Sequence, residues 1–152
     1  DARAKFENNK EVLFLLIQTF AENKFYPAIV TIIDEAIKYE PNNIDLYYLG
    51  GYANESSNNI EASKKYYDKV LDLDENNFDA NLALGLIYLN EFLSDKNNLE
   101  AQYNAQTYLL TANSVKPYAV NALKGLALYY ETTNEEDQLD RVNVLLNQLS
   151  NN

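Results

Sequence analysis

Apolar positions recur at helical spacing along almost the whole chain. From Lys10 to Ala21, the residues Val12, Leu13, Leu15, Leu16, Ile17 and Phe20 cover a wide helix face, as a core-facing helix requires. Asn23 and Lys24 interrupt that pattern, and Pro27 suits the first turn of the next helix, where a backbone N–H is not needed. That second helix carries Ile29, Val30, Ile32, Ile33, Ala36 and Ile37, and stops before Pro41. Leu46, Leu49, Tyr52 and Ala53 mark a third helix, and Ser56-Ser57-Asn58-Asn59 a turn in which Asn59 serves as N-cap. Ile60, Ser63, Tyr67, Val70, Leu71 and Leu73 mark a fourth. Leu82, Leu84, Leu86, Tyr88 and Leu89 then precede a turn at 94–98, and Leu99, Ala105, Leu109 and Ala112 lead to Pro117. The last pair groups Leu123, Leu126, Ala127 and Tyr130 with Leu139, Val142, Leu145, Leu146 and Leu149, with Thr133 or Asn134 as cap between them.

A period underlies these helices. Asn8-Asn9, Asn42-Asn43 and Asn76-Asn77 follow one another at intervals of 34 residues, each pair preceded by Glu or Pro. A fixed interval of that size marks a stacked helix–turn–helix repeat. The spacing predicts one domain over 1–152, divided into 10–43, 44–77, an extended 78–119 and 120–152. Residues 2–9 parallel 70–77, and 1–9 read as the tail of a preceding helix. A chain that opens at Asp1 and contains no Met reads as a fragment or processed form, with a further repeat or an anchor expected upstream.

Short motifs carry a resemblance to the tetratricopeptide repeat, whose pattern is W-x2-L-G-x2-Y, then A-x3-F, then P. Leu84-Gly85-x2-Tyr88 matches the first-helix motif. Leu49-Gly50-x2-Ala53 and Leu126-Ala127-x2-Tyr130 match it in part. Ser63-x3-Tyr67-x2-Val70 and Ala105-x3-Leu109-x2-Ala112 fit the second helix, and Pro41 and Pro117 take the closing position. Trp is absent, the third unit is longer, and the second slips by one residue. The resemblance implies an all-α, right-handed α-solenoid of about four hairpins, or about eight helices. Gly50, Gly85 and Ala127 would face Ser63 and Ala105, letting backbones approach to about 8–10 Å.

The resemblance also implies a concave groove built by the first helices. It would carry Phe14 and Gln18, then Tyr47, Gly51 and Asn54, then Leu82, Leu86 and Leu89, and finally Asn121, Lys124 and Leu128. Phe14, Tyr47, Leu82 and Lys124 would form one column, rimmed by Glu11, Glu22, Glu55, Asp79 and Glu131. Leu82, Leu86 and Leu89 read equally as groove or as inter-helix core, because a helix that is hydrophobic all round is buried. Some relatives clamp a terminal carboxylate with Lys, Arg and Asn. Only Lys124, Asn54 and Asn121 stand ready here, which argues against a heat-shock-protein tail as ligand.

Composition narrows the chemistry. The net charge of −11 repels nucleic acid and anionic lipid, and it attracts basic partners at long range. An apolar fraction of 47% supports a folded core, and no run is long enough to span a membrane. No Cys and no His are present, so disulfides, thiolates, Ser-His and Cys-His pairs and histidine metal sites are excluded. No phosphate-binding glycine motif occurs. Asp72-Leu73-Asp74-Glu75-Asn76 opens like a calcium loop but lacks the Gly at the sixth position and, with Ala83 at the twelfth, the closing acid. Asn54-Glu55-Ser56, a glycosylation triplet, falls at a helix end. The acids at Glu135-Glu136-Asp137 and Asp72-Asp74 read as solvated helix ends, with no apolar pocket to separate their pKa values.

The sequence therefore reads as a non-catalytic scaffold for a peptide or protein with basic and apolar residues, without cofactor or metal. The rival reading is a self-associating assembly module, of the secretion or envelope-complex type, stacking through its terminal repeats, where Val144, Leu145 and Leu146 offer apolar surface. A soluble domain in either a cytoplasmic or an exported setting fits this composition.

Overall fold

The computed structural model describes the backbone of residues 2–152 and the side chains from Asn9 onward. The described residues form eight α-helices and no strand: α1 (Ala2–Glu22), α2 (Tyr26–Tyr39), α3 (Ile44–Ser56), α4 (Ile60–Leu73), α5 (Phe78–Ser94), α6 (Leu99–Val115), α7 (Val120–Thr133) and α8 (Glu136–Ser150). They fall into two compact units, Asp1–Asp74 and Glu75–Asn152. Within each unit, consecutive helices pack on one another, and in the second α5 also touches α7.

Each unit has its own core. In the first, Ile17, Ile29, Ile33, Ala36, Leu46 and Ala53 form a buried cluster against which Leu13, Phe14, Phe20 and Tyr66 pack. In the second, Leu89, Phe92, Ala101, Ala105, Leu109, Leu126, Tyr129 and Tyr130 do so. Each fully buried Ile or Leu contributes about 1.5–3 kcal/mol.

Local chemistry fixes the helix ends. Pro27 sits in the first turn of α2. Asn43 Oδ1 accepts from Asp45 N at 3.0 Å, Asn77 Oδ1 from Ala80 N at 2.9 Å, and Asn98 Oδ1 from Ala101 N at 3.0 Å. The second Asn of two pairs is thus a working cap. The buried Asn81 closes the same corner by donating to the Glu75 and Asn77 carbonyls. The α5 and α6 helices, each 17 residues, take up the extra length of the third hairpin.

Three corners share one backbone plan. Lys24, Asn58 and Asn134 have φ of 58°, 61° and 59°. Around them Phe25 N donates to Phe20 O, Asn59 N to Asn54 O and Glu135 N to Tyr130 O, at 2.8, 2.7 and 2.9 Å. This is the Schellman arrangement, with a left-handed residue just past the helix end.

Several local expectations are corrected. The α1 helix runs unbroken through Asn8-Asn9, so residues 2–9 are not the tail of a separate helix. That stretch has no Pro or Gly to stop a helix, and Asn alone only mildly disfavours one. Asn59 precedes α4 but makes no side-chain cap bond; its amide instead donates to Asn54 Oδ1 at 3.5 Å. Neither Thr133 nor Asn134 caps α8. Glu135 stands at that position, Asn134 closes α7, and the Thr133 hydroxyl donates to Glu135 Oε2 at 2.6 Å. The small residue at the α7 crossing is Gly125, whereas Ala127 lies half-buried off it.

Candidate functional site

In the second unit, neighbouring helices α5 and α7 build a mixed apolar and polar face. A Cβ on Gly125 would stand 3.2 Å from Leu86 Cδ2 and 3.0 Å from Leu109 Cδ2. Glycine here lets Leu86 lie across α7. Leu86 remains 38% exposed and Leu128 42%. Asn121, Lys124 and Leu128 are exposed at successive i, i+3 and i+4 steps of α7, so they share one helix face. Leu82 is half-buried against the core, and Leu89, only 3% exposed, belongs to it. The leucine strip is thus divided, and its solvent-facing member is Leu86.

In the first unit, the expected groove residues part company. Phe14 packs on the core cluster, with the Lys10 ammonium 5.6 Å from its ring centre, a cation–π distance. Gln18 is exposed and donates to Glu22 Oε1 at 2.9 Å. Gly51 and Asn54 are buried. A Cβ on Gly51 would meet Tyr67 Cε1 at 2.5 Å, and Asn54 Nδ2 donates to the Gly50 carbonyl at 2.8 Å. Gly51, Asn54 and Leu89 therefore present no side chain to solvent. The expected rim residue Glu55 is also engaged, accepting from the Tyr67 hydroxyl at 2.7 Å. At Gly51 the cause is the ring of Tyr67, which is fully buried and fills the space over α3.

Tyr47 lines an open recess of 280 Å³ between α2, α3 and α4. Its walls are Ile37, Tyr47, Ala62 and Tyr66, with Asp34, Lys65 and Lys69 as the charged residues. The Tyr47 hydroxyl donates to the Pro41 carbonyl at 2.7 Å, and the Tyr66 hydroxyl donates to Asp34. Burial, then the Asp34 carboxylate, raises the Tyr66 pKa above its ordinary value. Burial, then Glu55, does the same for Tyr67.

Sequence reasoning passed over a run of tyrosines. Tyr26 meets Tyr52 edge-on at 5.1 Å, Tyr52 stacks with Tyr48 at 6.4 Å, and Tyr48 lies 5.7 Å from Tyr67. The signal was present, since Tyr48 and Tyr52 are four residues apart on one helix.

Among the described residues, no three His, Cys, Asp or Glu side chains gather to hold a metal ion, and no helix is long and apolar enough to cross a membrane. Glu135, Glu136 and Asp137 border an open polar hollow at the start of α8. Asp68 has its pKa raised by burial and then by the neighbouring Asp72, with Lys64 opposing.

No family model and no curated protein matches the sequence. The structure is similar to a crystal structure of MamA, with a TM-score of 0.79 and 19% identity over 95% of this chain and 80% of that one. A second MamA crystal structure gives 0.77 and 19% over 97% and 76%, and a structure named MamA MSR-1 C2 gives 0.71 and 17% over 93% and 77%. At these identities the likeness is one of fold: the chain is all-helical and shares the helical-repeat architecture of MamA.

Proposed function

We propose that the chain is a non-catalytic interaction scaffold that holds a protein or peptide segment along the α5–α7 face. The observation that carries this reading is that Leu86 on α5 and Leu128 on the neighbouring α7 are both exposed, Leu128 sharing its helix face with Lys124 and Asn121. Large apolar side chains left in the open on a regular face suit a partner's apolar anchors. Exposed Asp79 and Glu131 on the same two helices, and the net charge of −11, favour basic flanks on that partner. The test is affinity capture from the source organism with wild type and a Leu86→Glu/Leu128→Glu variant. The variant should lose the captured protein while its helical circular dichroism is unchanged. Equal capture by both would overturn the reading.

A specific observation favours a second reading, self-association. Val12 and Leu15, 57% and 63% exposed, form with Leu16 an apolar stripe along α1. At the other end Val144 is exposed, and α8 contains no fully buried residue. Terminal helices of stacked repeats need a polar outer face to remain alone. Sedimentation at several concentrations should show association that Leu15→Glu weakens. A strict monomer would remove this reading.

A further inference from the structure

We infer that the recess between α2, α3 and α4 is a second docking site, whose occupant is an acidic protein segment. That segment inserts one apolar side chain and sets its carboxylates on Lys65 and Lys69.

Size decides the kind of occupant. Pockets for whole small molecules run to about 300–1,000 Å³ and enclose most of the ligand, whereas this one, at 280 Å³, stands at the small end and is open. It suits a single large side chain of a longer ligand. Its walls are the carbon surfaces of Ile37, Ala62 and the rings of Tyr47 and Tyr66. Both tyrosine hydroxyls are already engaged, with the Pro41 carbonyl and with Asp34. The rings are therefore held in place, and one oxygen of the Asp34 carboxylate accepts from the wall itself.

Charge decides the chemistry of the flanks. The chain has only 12 basic residues against 23 acidic ones, yet two exposed lysines border this one apolar recess. Lys65 and Lys69 are one turn apart on α4 and so project from one face. Lys69 lies 3.6 Å from Asp72, both side chains being largely exposed. A pair of that kind holds weakly and gives way to a ligand carboxylate beside a buried apolar group. The polarity is opposite to that proposed for the α5–α7 face, so the two sites select different segments.

The probe is a capped peptide, Gly-Ser-Glu-Glu-Trp-Leu-Glu-Glu-Ser-Gly. The protein contains no Trp, so all indole emission comes from the peptide. Titration should give a saturable blue shift that weakens with added salt. Lys65→Glu/Lys69→Glu should reduce affinity by about tenfold or more, and Ala62→Leu should do so by filling the recess, each with an unchanged melting curve for the lysine variant. Leu86→Glu/Leu128→Glu should bind like wild type, which separates this site from the other face. The inference is overturned by no saturable shift at millimolar peptide, by wild-type affinity in the lysine variant, or by equal binding of the same peptide with Lys in place of Glu.

Discussion

Gly51 lies directly beneath the ring of Tyr67, and the missing Cβ is what lets that ring close over α3. The ring has no room to yield, being fully buried and tied through its hydroxyl to Glu55. Gly→Ala inside a helix ordinarily stabilises by about 1 kcal/mol. At position 51 overpacking of about 1–3 kcal/mol opposes that gain, so Gly51→Ala should lower the melting temperature. Gly125→Ala should be milder, because its added Cβ would meet Leu109 Cδ2 at 3.0 Å and Leu86 Cδ2 at 3.2 Å, against 2.5 Å from the Tyr67 ring at Gly51. Thermal denaturation of the two variants checks the order.

Tyr67 also sets an alkaline limit. Its pKa is raised in the fold, so the neutral hydroxyl is the form that folding favours. Stability from this group is present below the unfolded value of 10.0 and is lost as pH rises through the folded value. Wild type should therefore weaken progressively above about pH 10. Tyr67→Phe should be less stable at neutral pH, by about 1–3 kcal/mol for a hydrogen bond to a charged group, with a shallower alkaline decline. Urea titrations at stepped pH measure both; an identical slope in the two proteins would remove the assignment.

The asparagine caps are unequal. Asn77→Ala and Asn98→Ala each remove a bond to a free backbone N–H, at a cost of about 0.5–2 kcal/mol. Asn59→Ala removes no such bond, and should cost less than either. Chemical denaturation midpoints give the ranking.

Lys24 occupies a left-handed conformation at φ 58°, which costs a non-glycine residue about 1–2 kcal/mol. Lys24→Gly should raise stability by up to about 1 kcal/mol, offset in part by the freer unfolded chain. Asn58→Gly should gain less, because Asn tolerates this region. A melting comparison decides it.

Helix positions were legible because buried faces write a 3.6-residue period into the sequence, whereas the division into two cores was not. Pro27 could be read as punctuation for a similar reason, because it acts within its own turn, whereas the capping bonds of Asn43 and Asn98 could not be told in sequence from the one that Asn59 does not make. The site was less legible. Asn54 and Gly51 occupy groove positions in the repeat pattern, yet the Tyr67 ring from α4 covers Gly51 and Asn54 turns back to the Gly50 carbonyl. Leu86 and Leu89 look alike in sequence, and only the side each takes relative to α6 and α7 separates an exposed residue from a core one. Asn8-Asn9 matches Asn76-Asn77 letter for letter, but the backbone turns at the second pair and not at the first. Corner formation depends on what packs around it, which a dipeptide does not encode.

The Schellman corners at Lys24, Asn58 and Asn134 are closed by main-chain atoms, with Lys serving at one where Asn serves at the other two. A bend held by the peptide groups themselves places little demand on the letters that spell it. An architecture held this way depends little on its particular letters, and here it is shared with MamA at 19% identity although no family model matches the sequence.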